Sequence, residues 1–123
     1  MELTRDLIKY VRDRAKSGYV LADECEICNS NVRLELHHYY SISPLVEKWM
    51  FSKKYKPEDV ILWRDEFITE HRRELYGESV TLCHYHHIDV LHRIYGQCPN
   101  LATAPKQKNW VKIQREKYGK LAR

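Results

Sequence analysis

The sequence lacks any long run of apolar residues, and its first six residues are mostly polar or charged. A membrane-spanning helix needs about 20 largely apolar residues, and a secretory signal needs an apolar stretch of roughly 7–15 residues. Internal repeats and low-complexity segments are also missing, so repeat arrays and disordered tracts are excluded. With 123 residues, the chain is long enough for one modest core. We expect one soluble, intracellular domain spanning residues 1–123 and no membrane partner.

Cysteine is scarce, with four residues, but its arrangement is informative. Cys25 and Cys28 form a CxxC knuckle, and Cys83 with His86 offers a second pair at the same spacing. Two such pairs can place four ligands around one tetrahedral zinc ion. Cys98 is the alternative fourth ligand, in place of His86. Disulfides are the competing interpretation, but the nearby histidines favour a metal in a reducing compartment.

Histidine is abundant, with seven residues, and five of them lie in two short segments around His37 and His86. The alternation in residues 34–38 predicts a strand that runs into a turn, and residues 79–82 predict a second strand. Residues 83–95 follow as a helix. A zinc ion that fixed the knuckle to the start of this helix would bring His37 and His38 close to His87. The pattern therefore predicts a cradle of two strands and one helix for a second metal.

These blocks resemble the HNH, or ββα-metal, endonucleases, especially the small phage-encoded, homing-endonuclease-like kind with a zinc knuckle. The family pattern is CxxC, then an Asp-His or His-His pair, then a block ending in Cys-x-x-Cys-His, and the similarity here covers residues 25–92. It implies an α+β fold with a ββα-metal, treble-clef-like core, a zinc knuckle and flanking helices. It also implies a phage protein that works in the cytoplasm of a bacterial host.

The resemblance assigns roles to individual residues. It implies that His37 and His87 bind a catalytic divalent ion and that His38 is the general base. A phosphodiester resists attack because its anionic oxygens repel nucleophiles, so an ion on the phosphate would neutralise charge. A neutral imidazole could then accept a proton from water at physiological pH. The implied cofactors are structural Zn²⁺ and a catalytic Mg²⁺, or another divalent ion such as Mn²⁺ or Ni²⁺.

Three positions depart from the family pattern. Glu78 stands where the family usually has the asparagine that orients the turn and the base, and it adds negative charge near the expected phosphate. His86 replaces the usual cysteine, which a zinc site tolerates. His92 follows His87 by five residues instead of four, so on an α-helix it is rotated by about 100° from the usual partner position. We keep His92 as a candidate third ligand or phosphate contact, and Glu78 among the catalytic residues.

The histidine pair raises a question of geometry. Neighbouring residues on a regular strand point to opposite faces, so His37 and His38 could not both line one site from the middle of a strand. We therefore expect the pair to lie where the strand ends.

The remaining segments are predicted to be helical. Residues 1–24 contain an amphipathic helix, predicted over residues 4–16, and residues 25–95 hold the knuckle and core. Within that core, residues 43–77 are too many for a hairpin loop and predict two inserted helices. The first would be capped by Ser43 with Pro44 at its first position, and the second would start at Pro57.

Positive charge is concentrated at the end of the chain. Residues 106–123 contain seven basic residues and one acidic residue, whereas the whole chain has a net charge of +4. We predict a basic helix over residues 105–123 that contacts DNA phosphates without reading bases. The candidate contacts are Lys106, Lys108, Lys112, Arg115 and Lys117.

The sequence thus predicts a metal-dependent DNA endonuclease of the HNH type. A monomer would nick one strand, whereas double-strand cleavage would require a homodimer or two successive events. The alternative is a zinc-stabilised nucleic-acid-binding module without hydrolytic activity.

Overall fold

A computed structural model describes residues 5–121 of the chain, with side chains described for residues 6–119. The predicted helix start at residue 4 and the last two residues of the predicted basic helix lie outside the described residues. No helix in the described part is long and apolar enough to cross a membrane. The structure mixes helices with a small sheet, which confirms the predicted α+β class. Its α-helices are α1 (Arg5–Ala15), α2 (Ile42–Lys53), α3 (Val60–Glu70), α4 (His92–Tyr95) and α5 (Ala104–Leu121).

The sheet consists of two antiparallel strands, β1 (Leu34–His38) and β2 (Ser79–Cys83). Their register runs from Leu34 opposite Cys83 to His38 opposite Ser79. The chain passes from β2 into a π-helix, Tyr85–Leu91, which continues directly into α4. The order of strand, strand and helix follows the prediction. A second π-helix, Arg73–Gly77, precedes β2, and short 3₁₀ helices cover Lys16–Gly18, Pro57–Asp59 and Leu101–Thr103.

One hydrophobic cluster joins α1 to the two inserted helices. Val11 and Phe67 are fully buried in it, and the Trp49 indole packs edge-on against the rings of Trp63 and Phe67. The predicted cap of α2 at Ser43 is wrong, because the helix begins at Ile42. Ser41 has the extended backbone of a helix-capping residue, and its hydroxyl donates to the Pro99 carbonyl instead of to the helix.

A second hydrophobic cluster lies around the knuckle, β2 and α5. Cys25, Ile27, Leu82 and Leu91 are almost completely buried there, and Val111 of α5 packs against them. The helix α5 begins at Ala104, one residue before the predicted start, so Pro105 falls in its first turn, where no backbone N–H is needed. Cys25 and Cys83 are members of this second cluster, and Cys28 packs against it.

Candidate active site

The predicted zinc ligands Cys25, Cys28, Cys83 and His86 meet in one cluster, and their ligand atoms all lie within 4.8 Å of one another. The Cys28 and Cys83 sulfurs are 3.8 Å apart, and the His86 Nδ1 lies 3.3 Å from the Cys83 sulfur. Zn–S bonds of about 2.3 Å in a tetrahedron place sulfurs about 3.8 Å apart. The donor set and its spacing therefore fit a structural zinc ion.

The backbone of the CxxC knuckle stabilises the thiolate form of Cys25. The backbone closes a tight turn in which the Asn29 N–H donates to the Cys25 carbonyl, and Asn29 adopts a left-handed conformation with φ of 62°. Burial raises the pKa of the Cys25 thiol, but hydrogen bonds from the backbones of Ile27, Cys28 and Cys83 outweigh it and lower that pKa. Backbone donors that stabilise a thiolate favour the form that binds metal.

The structure decides between the two candidates for the fourth position of this cluster. His86 is buried and turns its Nδ1 toward the thiols, 3.9 Å from the Cys25 sulfur. Cys98 is exposed and lies beside Pro44 and Glu47, in a cleft away from the knuckle. His86 is therefore the fourth member of the cluster.

A second cluster brings together His37, His87 and His92, whose ligand atoms also lie within 4.8 Å of one another. His92 reaches this cluster because the helix between it and His87 is not α-helical. The backbone N–H of His92 donates to the backbone carbonyl of His87, five residues earlier, as in a π-helix. The wider turn absorbs the extra residue, so the five-residue spacing of the sequence places both rings on the same side.

Each ring in this cluster has an oxygen acceptor on its outer nitrogen. Three contacts do this: His37 Nε2 to Gln107 Oε1 at 2.7 Å, His87 Nδ1 to Glu35 Oε1 at 2.9 Å, and His92 Nδ1 to the Gly96 carbonyl at 2.7 Å. Carboxylate and carbonyl oxygens only accept, so the rings of His87 and His92 donate from Nδ1 and carry lone pairs on Nε2. Histidines that bind metals are oriented in this way by outer partners.

The inner nitrogens of the cluster face one another. His87 Nε2 and His92 Nε2 are 3.1 Å apart, and both carry a lone pair when the two rings are neutral. Nitrogen ligands about 2.1 Å from one ion are separated by about 3.0–3.4 Å in octahedral or tetrahedral geometry. Facing lone pairs repel each other unless a cation lies between them, so this spacing suits a divalent ion.

Burial favours the neutral form of two of these rings, His37 and His87. It lowers the pKa of His37 to about 3, even though the hydrogen bond to Gln107 acts in the opposite direction. Burial also lowers the pKa of His87, against the effect of the Glu35 carboxylate. Neutral imidazoles are the form that binds metal ions.

His38 points away from this cluster. The pair does form the last two residues of β1, but His38 is still in register opposite Ser79, so the rings of His37 and His38 point to opposite faces. The His38 ring lies against Tyr19, with 5.0 Å between the ring centres, and its Nε2 is buried without a hydrogen-bond partner in the part of the chain described. Burial lowers its pKa to about 4. His37 and His38 therefore lie on opposite faces of the sheet and do not line one site together, contrary to the expectation from the sequence.

Glu78 lies just before β2, where its carboxylate meets two cations. It forms ion pairs with Lys108 of α5 and with the Arg73 guanidinium at 3.5 Å. The hydrogen bond from Lys108 lowers the pKa of Glu78. The negative charge that the sequence placed near the expected phosphate is thus balanced locally.

Three of the predicted DNA contacts, Lys108, Lys112 and Arg115, line a groove of about 740 Å³ between α5 and the sheet. Arg115 also pairs with Glu26 of the knuckle at 2.6 Å. Tyr39 and Tyr76 contribute aromatic surface to the same groove. Lys106 and Lys117 are exposed elsewhere on α5.

Sequence reasoning missed two outer partners of the histidine cluster, Glu35 and Gln107. Glu35 could have been found, because it lies two residues before His37 on one strand and so shares its face. Gln107 could not, because only the packing of α5 brings it to His37, 70 residues away in sequence.

The fold and these clusters define a mixed α+β protein with one Cys₃His group and one His₃ group, each able to hold a metal ion. A family model described as the nicking endonuclease family, and named for phage T5, matches residues 2–122. The chain therefore belongs to the phage T5 nicking endonuclease family, which confirms the predicted class of phage endonuclease. No solved structure gives a significant match.

Proposed function

We propose that this protein is a metal-dependent DNA endonuclease of the HNH type that nicks one strand. The observation that carries the proposal is the cluster of His37, His87 and His92. Two of its ring nitrogens face each other at 3.1 Å, and each ring also forms a hydrogen bond with an oxygen of a neighbouring residue. The strand, strand and helix order around it, with the zinc knuckle beside it, supports an HNH core. Membership of a nicking endonuclease family supports DNA as the substrate and a nick as the product.

The three histidines would hold the catalytic ion, and this chain's own residues would do the rest. When bound, a divalent ion would neutralise charge on the scissile phosphate and stabilise the leaving 3′ oxygen. Imidazole ligands accept transition metals, whereas cellular abundance and phosphate chemistry favour Mg²⁺. Attack by water in line with that leaving group would give a 5′ phosphate and a 3′ hydroxyl.

His38 is the proposed general base. Its pKa of about 4 keeps the ring neutral at physiological pH, and its Nε2 carries no hydrogen bond to the described residues. The ring faces away from His37 and lies against Tyr19, so this role requires that water and phosphate reach the buried Nε2 at the end of β1. Glu78 would support the base indirectly, by fixing Arg73 and Lys108 at the start of β2.

The Cys₃His cluster would bind Zn²⁺ as a structural ion. It joins the knuckle to β2 and to the helix that carries His87, so zinc would set the position of the catalytic cluster. The groove lined by Lys108, Lys112 and Arg115 would contact DNA phosphates, which contribute affinity and salt dependence but no sequence specificity.

Plasmid nicking tests the proposal. Wild type, His87→Ala and His38→Ala would be loaded with zinc, freed of other ions, and given supercoiled plasmid with Mg²⁺ or Mn²⁺. We expect ion-dependent nicking by wild type, no detectable nicking by His87→Ala, and a loss of about 10²- to 10⁴-fold in His38→Ala. His71→Gln is the matched control, because His71 stacks on Phe67 in the other core cluster.

Two outcomes would reject parts of the proposal. Nicking by zinc-loaded wild type that survives complete removal of other ions would reject the role of the His₃ cluster. Retardation of plasmid without cutting under any ion would establish the alternative, a zinc-stabilised binding module. The negative charge of Glu78 favoured that module, but ion pairs with Arg73 and Lys108 balance this charge.

A further inference from the structure

The helix α5 touches both metal-binding clusters, although it contributes a ligand to neither. Gln107 bonds to His37 of the histidine cluster, and Tyr118 bonds to His86 of the zinc cluster. These two residues are 11 positions apart, which corresponds to about 16 Å along a helix. Together with the buried Val111 between them, they lie within about 40° of one another around the helix axis.

At the first contact, the orientation of the Gln107 amide is fixed by its neighbours. Its nitrogen donates to the Thr103 hydroxyl at 2.8 Å and lies 3.5 Å from the Tyr39 carbonyl, so its oxygen must face His37 Nε2. Gln107 is completely buried, so bulk solvent does not contact its amide. The amide therefore keeps the proton of His37 on Nε2 and leaves Nδ1 with the lone pair that can bind an ion.

At the second contact, the Tyr118 hydroxyl lies 3.1 Å from His86 Nε2. The opposite nitrogen, Nδ1, faces the thiols of Cys83 and Cys25. A ring that binds zinc through Nδ1 carries its proton on Nε2, so it donates to Tyr118. The hydroxyl thereby fixes the plane of the ring, and the two rings also pack edge-on with centres 5.1 Å apart.

We propose that Gln107 and Tyr118 are positioning residues through which α5 orients one histidine in each metal site. The helix α5, which lines the groove proposed to contact DNA, then also supports the metal ligands of both sites from outside. The part of this proposal that concerns Gln107 rests on the proposed function, because it presupposes an ion in the His₃ cluster. The part that concerns Tyr118 depends only on zinc in the Cys₃His cluster.

The first test measures the His37 tautomer and the affinity of the His₃ cluster. Long-range ¹H–¹⁵N spectra of zinc-loaded wild type should show the His37 proton on Nε2, and Gln107→Met should lose this preference at similar side-chain volume. Titration with Mn²⁺ should show binding about 10- to 100-fold weaker in Gln107→Met than in wild type. Asn109→Ala, an exposed amide on the same helix, should match wild type.

The second test compares zinc affinity by competition with a chromophoric chelator. Tyr118→Phe removes only the hydroxyl and should bind zinc about 10-fold more weakly, whereas Tyr10→Phe on α1 should not change it. Unchanged zinc affinity in Tyr118→Phe would overturn the Tyr118 half.

The outcomes separate this inference from the proposed function. A His37 proton on Nδ1 in wild type would overturn the Gln107 half without any variant, even if Gln107→Met failed to fold. Equal Mn²⁺ affinity in folded Gln107→Met and wild type would overturn it while leaving the His₃ site intact. Absence of any Mn²⁺ binding to wild type would overturn both that half and the proposed catalytic site.

Discussion

At the residue scale, Glu35 orients two histidine rings with one carboxylate. Its Oε1 accepts from His87 Nδ1 and its Oε2 from His84 Nδ1, each at 2.9 Å. Partial burial raises the pKa of Glu35, but the two imidazole hydrogen bonds outweigh it and lower that pKa. The carboxylate is therefore ionised at neutral pH and holds the lone pair of His87 on its inner nitrogen.

Replacing Glu35 should weaken metal binding at the proposed His₃ site without removing a ligand. Glu35→Ala would leave the His87 ring free to rotate and to change tautomer, so we expect a 10- to 100-fold lower affinity for Mn²⁺. Calorimetric titration of the zinc-loaded protein measures this, with the exposed Glu58→Ala as control. Equal affinities in both variants would show that Glu35 does not orient the ligand.

Tyr19 gives a prediction for alkaline pH. Burial raises the pKa of its phenol from 10.0 to about 12. The folded state therefore holds the proton more tightly than the unfolded state, so this contribution to stability is complete below pH 10 and is lost as the pH rises toward 12. Chemical denaturation across this range should show a smaller loss of stability for Tyr19→Phe than for wild type. Identical pH profiles would contradict the assignment.

Residues near each other in sequence could be predicted, and residues joined by tertiary packing could not. The spacing of Cys25 with Cys28 and of Cys83 with His86 predicted the Cys₃His cluster, because ligands three apart share one turn, but it left Cys98 open as the fourth ligand. From the sequence we expected the strand to end so that both rings could approach His87, but the strand continues through His38 and its alternation turns that ring outward, against Tyr19. Tyr118 reaches His86 across 32 residues, and no local pattern marks it.

At the element scale, the π-helix Tyr85–Leu91 determines whether His92 can join His87. On an α-helix, residues five apart are 500° apart, which leaves them 140° from a common face. The wider π turn removes most of this difference, and π-helical turns of this kind are frequent at functional sites. The sequence showed the extra residue but not how the backbone would absorb it.

A one-residue deletion tests this role of the π-helix. Removing the exposed Asp89 should convert the segment to an α-helix with the histidines four apart, so both the fold and Mn²⁺ binding should be retained. Inserting one alanine after Asp89 should instead rotate His92 away and weaken binding at least 10-fold. Circular dichroism and Mn²⁺ titration distinguish these results, and loss of binding in the deletion would contradict the explanation.

The remaining elements were predictable to within a few residues. Alternating and helical patterns placed β1, β2, α1 and α5 to within two residues of their observed ends. For α1 the reason is its buried apolar face of Leu7, Val11 and Ala15. The start of α2 was misplaced because the Ser41 hydroxyl bonds to Pro99, which is 58 residues away. A long-range partner of this kind changes which serine begins a helix, and local preference does not reveal it.

At the scale of the whole molecule, the described residues form two hydrophobic clusters, of which the second contains proposed zinc ligands. The first is formed by α1, α2 and α3 from aromatic and aliphatic side chains such as Trp49 and Phe67. The second is smaller, and Cys25 and Cys83 of the Cys₃His cluster are among its buried members. If that cluster binds zinc as proposed, zinc should stabilise the half of the protein that carries the His₃ cluster.

Removal of zinc tests this division. Structural zinc sites in small peptides contribute on the order of 10–16 kcal/mol, more than the stability of a typical small domain. Cys28→Ser should thus lose amide-exchange protection in β2 and α5 while retaining most of it in α1 and α3. Exposed Cys98→Ser is the control and should behave as wild type. Uniform protection, or uniform loss of it, would contradict the division.

The central claim is that one divalent ion in the His₃ cluster drives DNA nicking. The most direct measurement titrates Mn²⁺ into zinc-loaded protein and follows bound ion and plasmid nicking in the same samples, for wild type and His92→Ala. We predict that nicking by wild type rises with the binding of one ion per chain, and that His92→Ala requires at least 10-fold more Mn²⁺ for both. Full nicking by His92→Ala at the Mn²⁺ concentration that suffices for wild type would contradict the proposed role of the His₃ cluster.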